Sequence, residues 1–112
     1  MKKVEAIIRP SRLDAVKSAL NIVGIKGMTV TEVRGCGQQK GHVEYYRGSE
    51  FVVNLLPKVK VEVVIADDKL EEVITAIVDA AKTGEIGDGK IFIYEITDCV
   101  QVRTGQRGEA VI

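Results

Sequence analysis

The segment Thr83-Gly-Glu-Ile-Gly-Asp-Gly-Lys-Ile-Phe-Ile93 sets three glycines and a lysine directly before an apolar strand pattern. Those residue types suit the holding of an anion. Glycines at 84, 87 and 89 let the backbone pass through positive φ and bring N–H groups close to a phosphate, while Lys90 adds a point charge. Gly84 to Lys90 matches GxxxxGK, yet Ile91 stands where a P-loop needs Ser or Thr for magnesium. A helical pattern also precedes the loop and a strand follows it, the reverse of a P-loop. The segment therefore reads as a nucleotide cradle without hydrolytic machinery. Two further segments share its character, Arg34-Gly-Cys-Gly-Gln-Gln-Lys-Gly41 and Gln101-Val-Arg-Thr-Gly105. All three fall at strand termini, where they could surround a phosphate chain across a subunit boundary. Three ordinary glycine turns are the alternative reading of the same spacing.

Other catalytic groupings are thin. His42 is the only histidine, and no serine or cysteine has a base at meaningful spacing, so a nucleophilic triad has no support. Glu71 and Glu72, like Asp67 and Asp68, are neighbours on a helix or its cap, where a solvated face explains them. No His/Cys/Asp cluster is evident for a metal, although Gln39 could join nucleotide phosphates around a magnesium ion that the ligand brings.

Lys and Arg number 16 against 16 Asp and Glu, so no overall field draws the chain to nucleic acid or an anionic membrane, and any anion site must be local. A chain of 112 residues makes a single domain, 1–112, long enough to bury a core without disulfides or metal. Cys36 and Cys99 lack C-x-x-C spacing, which argues for a reducing compartment. With no apolar run of transmembrane length and no h-region after Met1-Lys-Lys-Val-Glu, a cytoplasmic location is expected.

The elements that must position these segments follow from periodicity. Val4, Ala6 and Ile8 alternate in a strand over 3–9 that Pro10 ends. Ser11 with Asp14 resembles a capping pair for a helix carrying Leu13, Val16, Leu20 and Val23, closed by Gly24. A second strand spans Met28 to Val33 and stops at Gly35. From there to about Leu56 the polar, glycine-punctuated chain reads as one long loop, its flexible target-binding part at about 37–55. A strand over 59–66 precedes a helix capped by Asp67 or Asp68, with Leu70, Val73, Ile74, Ile77 and Ala81 as its apolar stripe and Gly84 as its end. Residues 91–96 form the fourth strand, and Val100 with Val102 suggests a short fifth. The order β-α-β-β-α-β predicts an α+β, ferredoxin-like sandwich with both helices on one face of an antiparallel sheet. The other face, expected to carry Ile7, Val64, Phe92, Tyr94 and Ile96 among charges, predicts self-association.

The chain resembles the P-II family of nitrogen-signalling proteins, ungapped over nearly its whole length. The pieces that carry the likeness are Gly27-Met-Thr-Val-Thr-Glu-Val33, Gln39-Lys-Gly41, Tyr46-Arg-Gly-Ser-Glu50, Pro57-Lys-Val-Lys60, Thr83 to Ile93 and Arg103-Thr-Gly105. The resemblance implies a homotrimer with nucleotide sites between subunits, where ATP and ADP compete and 2-oxoglutarate binds beside magnesium-ATP. It implies that Gly35, Gly37, Gln38, Val64, Gly87, Asp88, Gly89 and Lys90 hold the nucleotide from one subunit. Thr29, Gln101 and Arg103 would reach it from the next. By the same likeness Gln39 ligates magnesium, Lys58 pairs with a 2-oxoglutarate carboxylate, and the backbone from Gly37 through Lys40 to Gly41 binds the remainder. The implied partners are an ammonium channel or a nitrogen-metabolism enzyme, met through Arg47 at the loop tip, and the implied role is regulatory and not enzymatic. A weak nucleotide hydrolase and a ligand-free structural trimer are the competing expectations.

Departures from the family pattern carry information. Phe51 stands where many relatives have a tyrosine that accepts a nucleotidyl group, and a phenyl ring has no hydroxyl to modify. Ser49 resembles a phosphorylated serine of cyanobacterial relatives. Gln38 and Gln101 replace common phosphate-touching arginines, and Cys36 a common phenylalanine, so nucleotide binding is expected to persist in weakened form through Lys90 and Arg103.

Overall fold

The first strand, β1 (Lys2–Ile8), buries Val4, Ala6 and Ile8 and turns Lys3, Glu5 and Ile7 to the opposite face. The computed structural model describes residues 1–36, 43–46, 49–52 and 55–112. Pro10 opens a 3-10 turn, Pro10–Arg12, that leads into α1 (Leu13–Ile22). Neither the turn nor the helix start carries a side-chain cap, contrary to the expected Ser11 and Asp14 pairing. The turn itself supplies the entry, and Arg12, already helical in φ and ψ, precedes the helix in place of an extended capping residue. Gly24 does close the helix. At φ +87° it lets the Ile25 amide donate to the Leu20 carbonyl at 2.9 Å and its own amide to Asn21 at 3.0 Å, satisfying two end carbonyls. Nothing lies within 4 Å of a Cβ added there. Gly24→Ala is therefore expected to cost only the left-handed backbone strain, about 1–2 kcal/mol in urea unfolding, and to leave ligand binding unchanged.

Next come β2 (Thr29–Gly35), a short antiparallel pair of β3 (Val43–Tyr46) and β4 (Ser49–Val52), and β5 (Leu56–Ile65). The pair lies inside the span expected to be one unstructured loop. Four-residue strands are too short to show a sustained period, but Val43-Glu-Tyr-Tyr46 opposite Ser49-Glu-Phe-Val52 supplies the β-branched and aromatic residues that strands favour. β5 starts three residues before the expected Val59. Pro57 hid that start, and it is tolerated because β1 pairs with β5 only from Val59 onward, leaving Pro57 a neighbour on one side alone, Arg34 of β2.

A 3-10 turn, Asp67–Lys69, enters α2 (Leu70–Ala81) without a side-chain cap. Asp67 is instead drawn to the N-terminal ammonium of Met1 at 3.0 Å and to Lys2 at 3.2 Å. α2 stops at Ala81, before the expected Gly84, because the Thr83 and Gly84 amides donate to the Asp88 carboxylate instead of extending the helix. β6 (Gly89–Glu95) completes a four-stranded antiparallel sheet in the order β2-β5-β1-β6. In place of a fifth strand at Val100 and Val102 there is a single bridge, Val100 to Arg107. Gly105 at φ +72° turns the chain back, and the Gln101 amide donates to the Gln106 carbonyl at 2.8 Å.

Both helices cover one sheet face. Val16 and Leu20 of α1 and Val73, Ile77 and Ala81 of α2 meet the inward residues of β1 and β5 in one core. No helix among the described residues covers the other face. Phe92 and Tyr94 stand 45% and 43% exposed there, while Ile7, Val64 and Ile96 are half-buried. On it Lys3 lies 3.5 Å from Glu62, and the Tyr94 hydroxyl donates to Glu5 at 3.1 Å.

Candidate functional site

β1 and β6 run antiparallel with Ile8 opposite Gly89 and Ile7 opposite Lys90, so the glycine segment opens at the end of the sheet where β1 finishes. β2 ends and β5 begins at that same end, with Gly35 opposite Leu56. These chain ends enclose a cavity of about 590 Å³ whose walls include Gly35, Cys36, Leu56, Lys58 and the segment from Glu85 to Lys90, with Ile7 and Phe92 also lining it. Gly84, Gly87 and Gly89 adopt φ of +91°, +105° and +103°, as the cradle reading requires.

The turn from Thr83 to Asp88 is held from inside. One Asp88 carboxylate oxygen accepts from the Thr83 and Gly84 amides, both at 2.8 Å. The other accepts from the Thr83 hydroxyl and, at 3.1 Å, from Arg9 Nε. The same guanidinium donates through Nη2 to the Ile86 carbonyl at 2.8 Å, and Lys58 Nζ donates to the Gly87 carbonyl at 2.8 Å. Thr83 and its donated bonds hold the Asp88 carboxyl well below the usual carboxylate range. Burial, with Arg9 nearby, pushes the Lys58 ammonium below the ordinary lysine value. Because the Asp88 value is depressed on folding, its contribution to stability is complete above the unfolded carboxylate value of 3.8 and is lost as pH falls through the folded value. Thermal melts are thus expected to be flat with respect to this group from pH 7 to 5 and to fall below about pH 4, with Asp88→Asn removing part of that fall.

Val64 and Thr29, expected on opposite sides of one ligand, sit together. Both line a second cavity, of about 850 Å³, with Gly27, Glu62 and the C-terminal Glu109 and Ile112 among its other walls. That cavity lies at the far end of the sheet, where Val64 opposes Lys3 and Thr29 opposes Glu62. Along β1 the Lys3 rung that faces Val64 and the Ile8 rung that faces Gly89 are five steps apart, about 17 Å of extended chain. Val64 is therefore not beside Gly87 to Lys90 in the same chain, a correction to the expected grouping. Gln101 and Arg103 line neither cavity; they project in the turn after Val100, where Gln101 accepts a 2.7 Å bond from the Thr104 hydroxyl. Gly37, Gln38, Gln39, Lys40, Gly41 and Arg47 lie outside the described residues. Ser49 is the first residue of β4.

Sequence reading missed Arg9. Its signal is register, since a cation one residue beyond the last rung of β1 must meet whatever precedes β6, and a single sequence does not display register. Thr83 and Asp88 were more legible, as a hydroxyl and a carboxylate bracketing a glycine turn. Chemically the first cavity combines amide-rich backbone, Lys58 and Lys90, and apolar walls from Ile7 and Phe92. That set suits a phosphorylated ligand with a flat or apolar portion. Among the described residues no group of three or more His, Cys, Asp or Glu side chains gathers to hold a metal.

An antiparallel four-stranded sheet backed by two helices, with a glycine-rich cavity at one end, defines a ferredoxin-like α+β domain. Residues 1–106 match the family described as nitrogen regulatory protein P-II. A nitrogen regulatory protein P-II of Pasteurella multocida is 55% identical over 112 residues, spanning 100% of both chains. Those of Rhodospirillum rubrum and Rhizobium meliloti are 59% and 60% identical over 108 residues, spanning 96% of both chains. The chain belongs to the P-II family of nitrogen regulatory proteins, and its function is nitrogen signalling. No helix among the described residues is long and apolar enough to cross a membrane.

Proposed function

We propose that this chain is a cytoplasmic sensor that binds ATP or ADP in clefts between the protomers of a homotrimer and takes up 2-oxoglutarate beside magnesium-ATP. One observation carries the reading. The glycine cavity and the Thr29/Val64 cavity lie at opposite ends of one sheet, so a ligand needing both must lie between two copies. A head-to-tail contact joins the glycine end of one sheet to the Thr29 end of the next, and such a heterologous contact closes into a ring when the rotation allows. The open sheet face, with its exposed Phe92 and Tyr94, gives the ring an inner lining.

In that ring Gly35 and Gly87 to Lys90 hold phosphates from one protomer, while Thr29, Val64, Gln101 and Arg103 approach from the next. Lys58 serves a keto-acid carboxylate, and magnesium arrives on the triphosphate with Gln39 as its protein ligand. Switching follows from where the excursion is tethered. Cys36 and Leu56, at either end of the span that carries Arg47, both line the glycine cavity. A ligand that prefers one arrangement of that rim shifts the excursion's population by its differential affinity, and so its fit to a channel or an enzyme target.

Calorimetry on the purified protein tests the proposal: ATP and ADP bind competitively, and 2-oxoglutarate binds only when magnesium-ATP is present. Equal uptake of the keto acid without nucleotide would overturn it.

A further inference from the structure

Asp88, like Glu85, is an acidic residue of the glycine turn that lines the cavity, and a carboxylate beside a phosphate repels it. Its geometry resolves the conflict. All of its bonds run inward, to the Thr83 amide and hydroxyl, the Gly84 amide and Arg9. The turn's own carbonyls are treated likewise, Ile86 by Arg9 and Gly87 by Lys58. The Asp88 carboxylate and the Ile86 and Gly87 carbonyls are thereby each met by a donor, while the glycine backbone is kept at the cavity wall.

We infer that Thr83 and Asp88 are positioning residues for the anion cradle: the Thr83–Asp88 bracket, tied down by Arg9, sets the ligand affinity through the backbone of residues 84 to 90 without either side chain touching the ligand. The inference rests on the reading that this cavity receives a nucleotide phosphate. It differs from an assignment of Asp88 as a contact residue, directly or through a metal ion. The spacing has a physical reason. A separation of five between Thr83 and Asp88 lets one carboxylate reach back across the turn to two consecutive amides, which is the arrangement that closes the glycine segment on itself.

The experiment compares ATP binding by the full-length protein and its Thr83→Val, Thr83→Ser, Asp88→Asn and Thr83→Val/Asp88→Asn variants, each with magnesium and with EDTA. Circular dichroism and size-exclusion chromatography accompany every sample. Thr83→Val keeps the volume and loses the hydroxyl, and it is expected to weaken ATP binding about tenfold. Asp88→Asn is expected to do the same, by a factor that does not change with magnesium. Thr83→Ser, which restores the hydroxyl, returns affinity to within about twofold of wild type. The double variant is no weaker than the worse single one, because both remove one bracket.

Wild-type affinity in Thr83→Val and Asp88→Asn would overturn the inference. A loss confined to magnesium would make Asp88 a ligand through the metal, and additive losses would mean that the two side chains act separately. A second readout needs no nucleotide: the Thr83 and Gly84 amide resonances of the wild-type protein should shift together in an acid titration and stay fixed in Asp88→Asn. If wild-type protein binds no ATP at millimolar concentration, the proposed function fails, and this titration alone still decides whether the bracket exists.

Discussion

Gly89→Ala is expected to abolish nucleotide binding and to destabilise the fold together. A Cβ at residue 89 would lie 1.7 Å from the Ile7 carbonyl oxygen and 2.8 Å from its carbon, and the residue sits at φ +103°. Side chains yield by rotating, but these atoms are backbone of a neighbouring strand. Relief requires the first rungs of the β1–β6 ladder, Gly89 opposite Ile8 and Lys90 opposite Ile7, to open. Strain of this kind is worth roughly 2–4 kcal/mol, a melting temperature lower by about 10 °C or more. The opened rungs carry the Gly87 to Lys90 wall of the cavity with them. Melting and ATP calorimetry on the same sample check both halves, and Gly24→Ala supplies the contrast, since it shares a positive φ but has no atom within 4 Å of its added carbon.

Lys90→Glu is expected to separate the two effects. Lys90 is exposed and lines the glycine cavity, so reversing its charge should change unfolding by no more than about 0.5 kcal/mol. Toward a triphosphate, however, it replaces a charge-assisted contact with repulsion. The loss should be about 3 kcal/mol, a hundredfold or more in the ATP dissociation constant. Raising the salt should shrink the gap between the two proteins, because part of it is screened Coulomb energy. Adenosine, which lacks phosphate, should lose little affinity. Equal loss for adenosine and ATP would place Lys90 away from the phosphates.

Much of this architecture is written in local patterns. Alternation in β1, the stripe of α2 and the positive-φ glycine after α1 each follow from a few residues and survive folding intact. Errors arise where a non-local partner outranks a local preference. Asp67 looks like a cap and becomes the partner of the N-terminal ammonium and Lys2, brought together only when β1 pairs with β5. Gly84 looks like a helix stop, yet the helix ends earlier because Asp88 captures the amides that would continue it. Pro57 masks the start of β5, since its tolerance depends on which neighbour is absent.

The candidate site divides in the same way. Its glycines and Lys90 announce themselves by type and spacing, whereas Arg9 joins them only through strand register. The separation of Val64 from the glycine segment is likewise invisible until the sheet order is known. That separation has the larger functional consequence. It is what motivates the proposed division of the site between protomers.

Mixed oligomers provide the most direct measurement of that division. In the proposed clefts Lys90→Glu would remove the glycine side, and Arg103→Glu, in the turn after Val100, the opposing side. Each protein alone is expected to bind ATP at least a hundredfold more weakly than wild type. Unfolded together and refolded as a mixture, they should regain wild-type affinity in about a quarter of the clefts, those formed by one intact half from each variant. A mixture that binds no more ATP than the separate variants would mean that each site is built from a single chain, and the proposed division of the site between protomers would be wrong.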